Sequence, residues 1–338
     1  MNLPITPDRY ERLDSARWIA AAAVVLLHSA AEALGGDATY GDGNWIAANV
    51  YDSAVRWCVP VFVMISGALL LDTSRPQGLR RFYEKRAARI VVPLVFWSLF
   101  YLGWRGVQDW LDQNPSDYVA FLGTLIKGTP YYHLWYLYMI AGLYLFAPFI
   151  RNLYAKTSPR ARIACVVSIL LVAVLDALYR QWTGTPNGFF LTWFLPYLGY
   201  FVAGRLIFEG AIRLPYAWAV LVGSILVTAA GVYLMSDEAG LNGYFYGYFS
   251  LTVPLMSLAM FQLIVNGPRL PRLTWLAPLT FGVYLVHPVF LDLATRTGLY
   301  RAGEHDVWAV PLMAIVVFAL SALASWGLAR WHVTRKLI

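Results

Sequence analysis

Apolar residues fall along this chain in long blocks divided by short polar stretches. Ten blocks are long and apolar enough to cross about 30 Å of hydrocarbon as helices. They lie near Trp18–Leu34, Ala54–Leu71, Ile90–Leu102, His133–Ile150, Ile163–Tyr179, Phe190–Phe208, Pro215–Met235, Phe245–Val265, Trp275–Ala294 and Val307–Ala329. The third is short and is expected to begin earlier, near Ala87. The pattern predicts an all-α polytopic membrane protein. Two connections stand out. Gly35–Asp52 is rich in Gly and Asp and free of basic residues, and Asp109–Tyr132 contains a short apolar piece, Tyr118–Ile126, expected to lie on the surface or dip into the membrane. No soluble domain, low-complexity linker or inverted repeat interrupts the blocks, so residues 1–338 read as one integral membrane domain.

Composition agrees with the blocks, and charge orients them. The 338 residues are 59% hydrophobic and 13% charged, about half the 25% of ordinary globular domains. Trp and Tyr are abundant, which suits side chains anchored at membrane interfaces. Of the 26 Lys and Arg, 20 fall at the N-terminus, in every second loop and in the tail: Arg9, Arg12 and Arg17, the run Arg75–Arg89, the run Arg151–Arg162, Arg205 and Arg213, Arg269 and Arg272, and Arg330–Lys336. The intervening stretches hold only Arg56, Arg105, Lys127, Arg180, Arg296 and Arg301. By the positive-inside rule this alternation places both termini in the cytoplasm. The net charge of +7 is therefore a matter of topology, not the footprint of a nucleic-acid partner. Cys58 and Cys165 fall inside apolar blocks with no metal-ligand spacing and are expected to be inert buried thiols.

Against this background ionisable residues inside the blocks carry information. His28 sits within the first block and Arg17 at its start, with Asp14 just ahead. Eleven residues of helix turn through about three full turns plus ~20°, so both side chains share one face about 16 Å apart. A polar group at that depth is costly and is by default a functional candidate. Arg86 and Arg89, three apart at the entry to the third block, project from one face and can converge on a single anion, for which the planar guanidinium is suited. Tyr83 and Lys85 border them. Tyr83 is placed to pair with the arginines or stack on a nucleotide, while Lys85, with Arg80 and Arg81, also fits a topology-setting basic loop.

Tyr131–Tyr138, containing His133, Trp135 and Tyr136, reads as an aromatic belt or as a sugar-stacking platform at the outer mouth of the fourth block. In Phe281–Pro288, Pro288 frees a backbone carbonyl about one turn earlier, and His287, beside Tyr284, is placed to satisfy it or to line a pocket. No Ser-His-Asp set, phosphate-binding glycine loop, dinucleotide fingerprint or zinc spacing is present. His28 is then the one well-placed general base.

These residues resemble the acyltransferase-3 family of integral membrane O-acyltransferases. The likeness rests on Arg17 and His28 with Asp14, on Arg86 and Arg89, and on Pro60-Val-Phe-Val-Met-Ile-Ser-Gly67, His133-Leu-Trp-Tyr-Leu137 and Tyr284-Leu-Val-His-Pro288. It implies a cytoplasmic acyl-CoA donor, usually acetyl-CoA, a glycan or lipid-linked sugar acceptor, and a multi-pass protein of the bacterial cytoplasmic (inner) membrane. The family's essential histidine maps onto His28 and its donor-binding arginines onto Arg86 and Arg89, while Arg17 belongs to the first motif. The chain looks like members that lack a fused soluble C-terminal domain. On that reading neutral His28 takes the proton of an acceptor hydroxyl as the oxygen attacks the acetyl carbonyl, or is itself acylated. Arg17, tyrosines or Ser66 would stabilise the oxyanion. A glycan transporter or flippase with His28 and Arg17 along its route is the rival class.

Overall fold

The computed structural model describes residues 7–36, 38–74, 78–114, 117–185, 190–267, 273, 275–300 and 307–338. Arg75, Arg269, Arg272 and Arg301 of the charge pattern lie outside them. Among the described residues the regular structure is helical, with no strand. The helices are α1 (Pro7–Gly35), α2 (Gly43–Val55), α3 (Cys58–Leu70), α4 (Leu79–Leu111), α5 (Tyr118–Ile126), α6 (Trp135–Lys156), α7 (Pro159–Thr183), α8 (Phe194–Glu209), α9 (Ala217–Met235), α10 (Val253–Asn266), α11 (Thr280–Arg296) and α12 (Ala309–Ala329).

Each of the ten apolar blocks contains helix. Seven stretches are long and apolar enough to cross a membrane: Arg9–Gly35, Gly43–Leu70, Leu79–Leu111, Pro159–Thr183, Ala217–Met235, Ala277–Arg296 and Ala309–Ala329. Two boundaries move substantially. The second stretch begins at Gly43, so most of the expected outer loop is helix α2, started by Asp42, whose carboxylate accepts from the Trp45 amide at 2.6 Å. Arg56 therefore lies inside a span, not in a loop. The third block starts at Leu79, and at ~1.5 Å per residue the 33-residue α4 is about 50 Å long. Its basic first turns thus have length to spare beyond a hydrocarbon core. Cys165 proves exposed on α7, while Cys58 is buried as expected.

Packing is tightest where small residues let backbones meet. A Cβ on Gly67 of α3 would lie 1.7 Å from the Phe201 carbonyl of α8, and one on Gly204 would lie 2.1 Å from the Met64 carbonyl. The Ser-Gly67 motif is thus the contact surface of a helix pair, as expected where apolar lipid gives helices no hydrophobic reason to associate and close packing must do it. Met64, Phe201, Leu206 and Phe261 form the centre of the core around this pair. The basic end of the pair is clamped by Arg205. Buried on α8, it donates to Glu209 Oε1 at 2.6 Å, to the Ala68 carbonyl at 3.0 Å and to Asp72 Oδ1 at 3.3 Å. Tyr154 of α6 and Tyr10 of α1 add bonds to Glu209 and Asp72 at 2.6 and 3.0 Å.

Candidate active site

Four prolines inside or at the start of helices locate the site. Proline lacks the amide that would bond the carbonyl four residues earlier. Pro60, Pro93, Pro148 and Pro288 therefore leave the carbonyls of Arg56, Arg89, Tyr144 and Tyr284 without that partner. At Pro60 the consequence is an interruption between α2 and α3 at Arg56–Trp57. At Pro288 it is a hydrogen bond from a side chain: His287 Nδ1 lies 2.8 Å from the Tyr284 carbonyl and 3.2 Å from that of Val283. A carbonyl can only accept, so Nδ1 carries the proton and Nε2 carries the lone pair.

That lone pair belongs to a cluster of three histidines drawn from α1, the turn before α6, and α11. The His28 and His287 rings are 5.2 Å apart with planes 26° from parallel, and those of His133 and His287 are 5.5 Å apart. His287 is fully buried and its Nε2 has no partner. His133 is 2% exposed, with neither ring nitrogen hydrogen-bonded, and its carbonyl accepts from the Tyr284 hydroxyl at 2.6 Å. His28 is only half-buried. Its ring lies 4.9 Å from that of Tyr132, which remains 44% exposed. The histidine thus lies beside a tyrosine that is itself exposed. Among the described residues no three His, Cys, Asp or Glu converge as metal ligands do.

The structure distributes the other sequence candidates on either side of this cluster. On the basic side Asp14 and Arg17 form an ion pair, each about one-third exposed. Arg86 is half-buried, its guanidinium 5.6 Å from the Phe82 ring and 5.5 Å from that of Tyr144. Its Nε is buried without a partner and it makes no ion pair among the described residues. It sits within electrostatic reach of both Arg89 and Arg17. Arg89 and Lys85 are exposed. Tyr83 spends its hydroxyl on the Leu145 carbonyl at 2.8 Å, which leaves it a packing role beside Phe82. The Ser66 and Tyr144 hydroxyls meet at 3.1 Å below the arginine. A groove of about 450 Å³ opens between the start of α4 and the end of α6, with Leu79, Phe149, Arg151 and Asn152 on its walls.

On the other side, Trp135 packs against Tyr248 and Tyr197 at 5.7 and 6.1 Å, and Tyr136 against Tyr284 at 5.6 Å. These rings form the wall of the helix bundle, whereas Tyr132 is the ring left open. Two acidic groups missed by sequence reasoning lie here. Glu32 is one turn beyond His28 on the same face of α1 and within electrostatic reach of Asp292. Asp292 accepts from Trp104 Nε1 at 2.8 Å, Gln108 Nε2 at 3.1 Å and the Tyr131 hydroxyl. Also missed was a buried ion pair at the α2–α3 interruption, Asp52 with Arg56, whose guanidinium lies 4.0 Å from the Tyr246 ring centre. The charge of Arg56 reaches His28. The signals were available: Pro60 stands four residues after Arg56, and Glu32 four after His28.

A model of a family of acyltransferase domains, acyltransferase-3, matches residues 10–330. No curated protein and no solved structure matches the chain.

Proposed function

The chain belongs to the acyltransferase-3 family, and from that premise we propose that it is a membrane-bound O-acetyltransferase carrying acetyl groups from cytoplasmic acetyl-CoA to a hydroxyl of a cell-envelope or exported glycan. The observation that carries this reading is the position of His28. It is a half-buried imidazole deep in an apolar helix beside the exposed Tyr132, with Arg86, which makes no ion pair among the described residues, on one side and an aromatic and acidic cluster on the other. Arg86, with Arg17 and Arg89 nearby, supplies positive charge for the phosphates of the donor. Because Arg86 is propped on two rings, it loses little freedom on binding. The pantetheine arm would extend from there past Ser66 and Tyr144 towards His28. The acceptor would enter by Tyr132 and Glu32 on the opposite, non-cytoplasmic side of a bacterial inner membrane.

In the reaction, the acceptor oxygen bonds to the acetyl carbon while His28 takes the hydroxyl proton. The carbon–sulfur bond then breaks, its electron pair leaves on sulfur, and the imidazolium returns the proton to give free CoA. Arg56 is a positive charge inside the bundle whose field reaches this point, so it is the group able to favour the oxyanion. The test is transfer of radiolabel from acetyl-CoA to the envelope fraction of the protein's own cells, with His28→Ala beside the wild type. Alkali-labile label with wild type and its loss in the variant are expected. No label with a folded wild type, or transport of glycan without donor turnover, would overturn the reading.

A further inference from the structure

A base inside a helix bundle needs its other nitrogen held, or half of its molecules present a proton where a lone pair is required. Glu32, the carboxylate one turn beyond His28 on α1, is engaged with Thr295, and the structure offers His28 a different acceptor. The geometry points to His287 as the positioning residue for His28: its Nε2 accepts the N–H of the His28 ring and thereby directs the lone pair of His28 towards the acceptor hydroxyl. This rests on the acyl-transfer reading above for its consequence in catalysis, though not for the existence of the pair.

Three observations support it. First, the tautomer of His287 is fixed by the backbone. Pro288 removes the amide due to the Tyr284 carbonyl, Nδ1–H takes its place at 2.8 Å, and Nε2 can only accept. Second, Nε2 has no partner and His287 is fully buried, while His28 beside it is half-buried. Of the two, His28 is the one a substrate could reach. Third, the two rings are stacked with centres 5.2 Å apart and planes 26° from parallel, without a hydrogen bond between them, and a rotation of the His28 ring would bring its N–H to Nε2. Catalytic hydrogen bonds are often loose until substrate arrives. The ionisable groups around the pair are His133 from the turn before α6, Tyr284 on α11, Tyr132, Arg56 across from α1, and Glu32 one turn beyond His28 on α1. Glu32 is the one carboxylate among them, and its partner is the Thr295 hydroxyl rather than the His28 ring.

The arrangement makes two variants informative. His287→Asn keeps an N–H close to Nδ1, so the Tyr284 carbonyl stays satisfied, but removes the acceptor at Nε2. Pro288→Ala supplies the missing backbone amide, so His287 no longer has to donate from Nδ1 and its tautomer is released. Each would be measured in three ways: acetyl transfer to the envelope fraction, thermal stabilisation by acetyl-CoA, and the rate at which diethyl pyrocarbonate modifies His28, read by mass spectrometry. The expected result is a fall of about 10²-fold in turnover with donor stabilisation unchanged, and His28 modified several-fold more slowly. Pro288→Ala should show the same fall while melting no lower than wild type, which a purely structural role does not produce. Wild-type turnover, or wild-type labelling of His28, in either folded variant overturns the assignment. If the wild type transfers no acetyl group but His28 labelling still slows in the variants, the enzyme reading fails and the histidine pair stands.

Discussion

Replacing Arg86 with alanine removes a guanidinium that pairs with no anion among the described residues, and its two aromatic supports, Phe82 and Tyr144, remain. The fold should therefore tolerate the change, and the loss should appear in donor binding. A hydrogen bond to a charged group contributes about 1.5–3 kcal/mol, and half-burial of Arg86 keeps it from being screened as a surface charge would be. That corresponds to a roughly 10- to 100-fold weaker donor affinity. Titrating acetyl-CoA against thermal unfolding reads this directly. At a donor concentration of about 100 times the wild-type Kd, stabilisation is about 2.7 kcal/mol. A 100-fold weaker variant retains about 0.4 kcal/mol at the same concentration. Lys85→Ala is the control, because Lys85, adjacent to Arg86 in the same turn of α4, is exposed. An Arg86→Ala protein stabilised as strongly as wild type, or an equal loss in the Lys85 control, would refute the argument that Arg86 is the organised donor contact.

Three further outcomes follow from the packing. Arg56→Met strands the buried carboxylate of Asp52 and should cost about 3–5 kcal/mol in unfolding experiments, whereas Asp52→Asn with Arg56→Met should recover most of it; equal melting of single and double variants would deny the pair. Asp72, just beyond α3, is pushed up by burial but held lower by the Ser74 hydroxyl and amide and by Arg205, so its carboxyl titrates below the usual range. A folded value below the unfolded one gives stability that is complete above about pH 4–5 and is lost as pH falls through the folded value. Asp72→Asn should flatten that acid limb of the melting profile. Gly67→Ala would force the α3 and α8 backbones apart by about 1.5 Å and should abolish a folded detergent peak, while Gly103→Ala on α4, with nothing within 4 Å, should melt at or slightly above wild type.

What the sequence determined by itself is what depends on local composition. Long apolar runs must satisfy their backbone internally in lipid, so they are helices, and each of the ten blocks contains helix. The positions of His28, Arg86, Arg89 and Pro288 were legible for the same reason, since an ionisable group or a proline in an apolar run is conspicuous wherever the run packs. The limits came where local pattern is ambiguous. The stretch Gly43–Val55 carries Asn, Asp and Gly like a loop, yet it is helix α2, because Asp52 pairs with Arg56 one turn on while Asn49 and Arg56 find partners on neighbouring elements. His133 sits in a motif that reads as an exposed platform, but the turn before α6 carries it inside. That the Tyr83 hydroxyl is bonded to a carbonyl of α6 is likewise a tertiary contact that local pattern does not show. Only tertiary structure could bring His28, His133 and His287 together, since they lie over a hundred residues apart and helical periodicity says which face a residue takes but not which helix meets it. Only it could divide the histidines into one that is accessible and two that are buried, because burial is decided by the neighbours.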